Sequence, residues 1–98
     1  MRFRKKPITV EAFQMTRDVE TIAPSWFMEA VLEGKVYINH SLVDGHALVY
    51  GCTIETPGGR LKARIGDYVV QGVDGELYPC KADIFRKTYE RVQKGGGL

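Results

Sequence analysis

An α+β domain built on antiparallel strands is the fold class predicted by this sequence, and three observations predict it. Runs rich in β-branched and aromatic residues recur along the chain, bounded by Asp-Gly and Pro-Gly pairs that punctuate turns. Two stretches, around Trp26 and around Phe85, change to a helical period. The strand runs adjoin one another, so they read as an antiparallel meander of about four to six strands, with one short mid-chain helix and one C-terminal helix packed on it.

With 98 residues, 44% of them hydrophobic and 27% charged, the chain is large enough for one modest core. Residues 1–93 read as that single domain, and 94–98, with three consecutive glycines, as a flexible tail. A net charge of +2 is too small to argue for nucleic acid by itself. No apolar run approaches the roughly 20 residues of a membrane helix. The basic opening is not followed by the apolar stretch of a signal peptide. Cys52 and Cys80 are too few for a disulfide framework, so free thiols in a cytoplasm are expected.

In chain order, Arg2, Arg4, Lys5 and Lys6 open the sequence as a basic cluster, read as the solvated start of a strand or as a contact for nucleic acid or acidic lipid. Ile8, Val10 and Ala12 alternate with Thr9, Glu11 and Phe13, which predicts a strand with the first set buried. Thr16 to Thr21 reads as a polar connection. Pro24 suits the first position of a helix whose apolar stripe is Trp26, Phe27, Ala30 and Val31 and which Gly34 stops. Val36 to Ile38 reads as a short strand, Asn39 to Gly45 as a loop, and His46 to Thr56 as a long strand. Pro57-Gly58-Gly59 reverses the chain into a strand from Leu61 to Ile65.

The stretch from Gly66 to Tyr89 holds most of the unusual residue choices. Tyr68, Val69, Val70 and Val73 favour a strand. Asp74-Gly75 predicts a type I′ hairpin into Glu76-Leu77-Tyr78, since both central positions of that turn need φ > 0. Gly72 points to a bulge or a close backbone approach. After Pro79, Ile84, Phe85, Thr88, Tyr89 and Val92 fall at helical spacing, predicting a helix from about Ala82 to Val92 with Cys80 or Lys81 near its N-cap. Trp26, Phe27, Val31, Val69, Leu77, Ile84 and Phe85 are the expected core.

The run GDYVVQGVDGELYPCKADIF, followed by TYE, resembles a widespread group of small phage and prophage proteins of unknown function, whose motif runs close to PGDY, a hydrophobic pair, then xGVxGExYPCKPDIFxxTYE. The opening RKKPITVEAFQ and the segment APSWFMEAV are similar to the same group, so the resemblance spans nearly the whole chain. Ile65 and Ala82 stand where the group has proline; both changes loosen turns and remove no reactive group. The resemblance implies a phage gene context and no particular activity.

Three chemistries compete in the residues. Cys80-Lys81-x-Asp83 at a helix start reads either as a nucleophile, its thiol pKa lowered by the helix and Lys81, or as a small hydrophobe closing a corner. A nucleophile needs a base, and nothing in the sequence places His40 or His46 beside Cys80. No CxxC or HxxxH spacing points to a metal, and Pro57-Gly58-Gly59-Arg60 lacks the residues of a phosphate loop. Arg60, Lys62 and Arg64 alternate and so share one strand face. That face could hold phosphates while Tyr68, Tyr78 or Trp26 stacks on a base; the alternative is a face charged for solubility.

The sequence thus predicts a non-enzymatic, phage-encoded accessory protein in the host cytoplasm, without cofactor or metal. It is expected to bind a host protein or a small anionic ligand such as a nucleotide, as in sequestering an immune signal, through Arg60, Lys62, Arg64, Tyr68, Tyr78, Lys81 and Trp26. Self-association is expected as well. A small enzyme centred on Cys80 and a nucleic-acid-binding module are the alternatives.

Overall fold

A computed structural model describes residues 1–92. Among these residues six strands and three helices follow in the order β1 (Glu11–Gln14), α1 (Val19–Ile22), α2 (Ser25–Leu32), β2 (Val36–Val43), β3 (His46–Thr56), β4 (Gly59–Arg64), β5 (Tyr68–Gln71), β6 (Leu77–Cys80) and α3 (Ala82–Thr88). The class is α+β and every strand pairing is antiparallel. The tail expected at 94–98 lies outside the described residues.

The strands do not form one meander. They make two three-stranded sheets, β1-β5-β6 and β2-β3-β4. The break falls between β4 and β5, where Gly66 takes φ 96° and Asp67 builds a turn. The Arg64 N–H donates to Asp67 Oδ2 at 2.9 Å, and the Asp67 N–H returns to the Arg64 carbonyl at 3.0 Å. Met15 then brackets the turn, donating to the Asp67 carbonyl and accepting from the Gly66 N–H. The N-terminal strand is thereby seated beside β5, with Phe13 opposite Val69.

Seating β1 there covers both of its faces in part: Val10 and Ala12, of the set expected to be buried, are half-buried, and so is Phe13 of the other set, while Thr9 and Glu11 are exposed. Phe13 packs against the core, while Ile8 is half exposed and precedes the strand. Trp26 and Phe27 of α2 meet the Phe13 ring edge to face at 5.7 and 4.8 Å. The core comprises Met15, Val19, Phe27, Ala30, Val36, Val49, Cys52, Ile54, Ala63 and Val69, with Trp26, Val31 and Leu77 partly buried against it. Two expected members differ: Ile84 is 52% exposed, and Phe85 is half-buried on the other face of the sheet. Burial of Val19 turns the segment read as a polar connection into the one-turn helix α1.

Helix α2 begins one position later than expected, with Pro24 as its N-cap, accepting from the N–H groups of Phe27 and Met28. Gly34, at φ 77°, ends it as expected: its N–H reaches the Val31 carbonyl and that of Lys35 the Ala30 carbonyl, the paired bonds of a Schellman stop.

The Asp-Gly turns are placed differently from the sequence reading. Asp44-Gly45, read as loop punctuation, has φ of 51° and 79° at its two residues and closes a two-residue hairpin with Val43 opposite His46. Segment 39–43 is strand rather than loop. At Asp74-Gly75 only Gly75 has positive φ. There the Glu76 carboxylate accepts from the Asp74 N–H at 3.0 Å and lies against Gly72, where a side chain would strike it. The connection is a longer loop closed by the Gly72 N–H bonding the Glu76 carbonyl at 2.8 Å. Close approach at Gly72 was expected; the type I′ geometry was not found there.

Candidate functional site

Tyr68 and Val70 point to one face of β5, and Val69 and Gln71 to the other. Val69 belongs to the core cluster below α2, whereas Val70, equally buried, does not. It lies on the second face, the one it shares with Tyr68. Helix α3 ends at Thr88, short of the predicted Val92. The Thr88 hydroxyl bonds back to the Ile84 carbonyl at 2.8 Å, and Tyr89 turns extended at φ −123° and ψ 150°. That turn lays the Tyr89 ring against Phe85, with centroids 4.8 Å apart, and brings its hydroxyl within 3.1 Å of the Tyr78 hydroxyl. Phe85 in turn stacks on Tyr68 at 4.0 Å with the planes 9° apart.

These four rings line an open cleft of about 1340 Å³ between α3, the second face of the β1-β5-β6 sheet and residues 5–12. Lys5, Lys6, Arg86 and Arg91 are its cations, and Glu11, Glu76 and Glu90 its carboxylates. Glu76 already serves the Gly72–Glu76 loop. The ion pairs among the described residues are Lys35–Glu33, His40–Glu20 and Arg60–Glu55, so none of the four cleft cations is in one. Burial pushes the Tyr78 hydroxyl up to about 12, helped by its bond to Tyr89, so Tyr78 stays a neutral hydrogen-bonding group.

Of the residues singled out from sequence, the structure brings Tyr68 and Tyr78 together in this cleft. Trp26 lies across the sheet, half-buried against Phe13 and Phe27. Lys81 is the N-cap of α3 and does not line the cleft. Arg60, Lys62 and Arg64 lie on β4, an edge strand of the other sheet, and line neither the cleft nor the smaller hollow beside Lys35, Ile54 and Leu77. Arg60 Nε donates to Glu55 Oε1 at 2.7 Å across the β3–β4 ladder. Lys5, Lys6, Arg86, Phe85, Tyr89 and Arg91 were missed as site residues. Their signal was present as a basic opening and a basic-aromatic helix, but only the packing of one against the other makes them a site.

Cys80 precedes the N-cap, and its thiol donates to the Lys81 carbonyl at 3.7 Å. Burial first, then the charges of Asp83 and Asp67, push its pKa up, the opposite of what thiolate chemistry requires. Cys52 is fully buried beside Ala63, and burial raises its thiol from 9.0 to about 11. Among the described residues no three His, Cys, Asp or Glu side chains gather closely enough to hold a metal ion. None of their helices is long and apolar enough to cross a membrane. No protein family, no curated protein and no solved structure matches this chain.

Proposed function

We propose that this chain acts by binding, and that the cleft around Tyr68, Tyr78, Phe85 and Tyr89 takes a small anionic ligand carrying a flat ring, a nucleotide being the chemical class that fits. The observation that carries the reading is the coincidence, in one open cleft, of four aromatic rings with four cations that form no ion pair among the described residues. A base extends the aromatic stack, which is worth roughly 1–3 kcal/mol per base in single-strand binders. Lys5, Lys6, Arg86 and Arg91 meet its phosphates. The Tyr78 and Tyr89 hydroxyls offer a donor and an acceptor for the ring edge.

The resemblance to small phage and prophage proteins supplies the setting: an accessory protein in the host cytoplasm that sequesters a nucleotide used as a defence signal. The raised thiol of Cys80 favours this reading over an enzyme built on that residue. Calorimetric titration of the full chain with mononucleotides, cyclic dinucleotides and a short single-stranded oligonucleotide tests it. The expected result is binding of a nucleotide that weakens with added salt and is lost in Tyr68→Ala and in Arg86→Glu. Heat from the oligonucleotide alone would favour a nucleic-acid-binding module. No binding by any of the three, or binding unchanged in both variants, overturns the proposal.

A further inference from the structure

The two edges of the β2-β3-β4 sheet are protected very differently. β4 carries Arg60, Lys62 and Arg64, and the Asp67 turn caps the backbone of Arg64. Charges along an edge discourage pairing with another chain, above all with a copy of itself. β2 reads VYINHSLV, eight residues with no lysine, arginine, acid or proline. None of its backbone groups bonds to backbone outside the β2–β3 ladder among the described residues. Tyr37, Leu42 and Val43 are 53%, 79% and 48% exposed. The outer half of the hairpin, residues 40–47, is exposed throughout, and the molecule measures 56 × 38 × 26 Å with a radius of gyration of 15.3 Å. A compact chain of 100 residues has about 13 Å.

We infer that the β2 edge is the self-association surface of this protein, pairing antiparallel with β2 of a second copy. The occupant follows from the strand's own chemistry. A two-fold axis across the sheet places each strand opposite itself, which an edge lined with lysine and arginine resists; on β2 His40 is instead paired with Glu20 Oε1 at 3.3 Å. The register follows as well. The two-residue turn closes on the pair Val43 and His46, so the backbone groups of Leu42 and His40 point away from β3. Centring the axis on His40 sets Ile38 opposite Leu42, Tyr37 opposite Val43 and Asn39 opposite Ser41, apolar with apolar and polar with polar. The result is one six-stranded sheet through the dimer. The cleft proposed for ligand lies on the other sheet and stays open, so the two proposals stand or fall separately.

Light scattering on the full chain, combined with concentration-dependent amide exchange, tests the inference. The expected mass at high micromolar concentration is that of two chains, against 11.0 kDa for one. The His40 and Leu42 amides should exchange more slowly as concentration rises. Leu42→Lys, at an exposed position, should return the mass to one chain with its circular dichroism unchanged, and Lys62→Ala on the opposite edge should leave the dimer intact. A single-chain mass for the unaltered protein overturns the inference, and so does a dimer that survives Leu42→Lys with both amides unprotected.

Discussion

On one face of the β1-β5-β6 sheet, Phe13, Trp26 and Phe27 meet edge to face, with planes at 66°, 71° and 83°, and Phe27 is fully buried. On the other face, Tyr68, Phe85 and Tyr89 lie closer to parallel, at 9° and 30°, and each is half-buried. The first cluster packs against the buried Met15, Val19 and Val69, with Phe13 and Trp26 half-buried at its margin. The second adjoins hydroxyls and cations that form no ion pair among the described residues, and α3 buries no residue completely. Aromatic residues at helical spacing thus serve opposite ends depending on what closes over them. Edge-on packing inside aliphatic walls stabilises the fold. A flat, half-open stack leaves free energy to be gained when something else covers it.

The sharpest way to break this comparison is to truncate one ring in each cluster. Phe27→Ala removes a fully buried ring and should cost about 3–5 kcal/mol, enough to unfold much of a domain of ordinary stability. Phe85→Ala should cost only about 1–2 kcal/mol, since its ring is only partly buried and faces the open cleft. Thermal melting of the two variants checks the order. Equal losses would mean that both clusters are core.

A second effect comes from Cys52, beneath the first cluster in the β2-β3-β4 sheet. Its folded pKa of about 11 stands above the unfolded 9.0, so the fold holds the neutral thiol. That contribution is complete below pH 9 and is lost as pH rises through 11. Melting temperature should therefore fall across this window. Cys52→Ala should make the fall shallower from pH 9 upward, leaving the same-signed losses from Cys80 and, above pH 10, from Tyr78 on the cleft side. A wild-type stability that rises with alkali contradicts these assignments.

The difference between the clusters also marks how far the sequence could be read. Helix α2 was legible because its signals are local: Pro24, an apolar stripe and Gly34 act within a few residues of one another. The two Asp-Gly pairs carry the same local signal, yet only Asp44-Gly45 forms the two-residue turn. At Asp74-Gly75 the Glu76 side chain takes a backbone N–H and lengthens the loop, which no dipeptide preference encodes. Phe85 was legible as apolar but not as half-covered, because its partner Tyr68 lies on a distant strand. The alternation of Arg60, Lys62 and Arg64 correctly put three cations on one strand face. Its separation from Tyr68 and Tyr78 follows from the chain leaving one sheet for the other at Gly66, a tertiary event without a sequence period.

The smallest stability effect is expected at that basic strand. Arg60→Ala breaks an exposed pair with Glu55 and should cost no more than about 1 kcal/mol, as chemical denaturation would report. Reversing Arg60, Lys62 and Arg64 together should leave the fold intact and nucleotide binding unchanged. A binding loss in that triple variant would move the anion site from the cleft to β4.

The most direct measurement is a chemical-shift titration of the isotopically labelled chain with a nucleotide. The account predicts shifts that concentrate on Tyr68, Tyr78, Phe85 and Tyr89 and on the backbone of residues 5–12, with the amides of Arg60, Lys62 and Arg64 unmoved. Shifts confined to β4, or a spectrum that does not change at all, would contradict it.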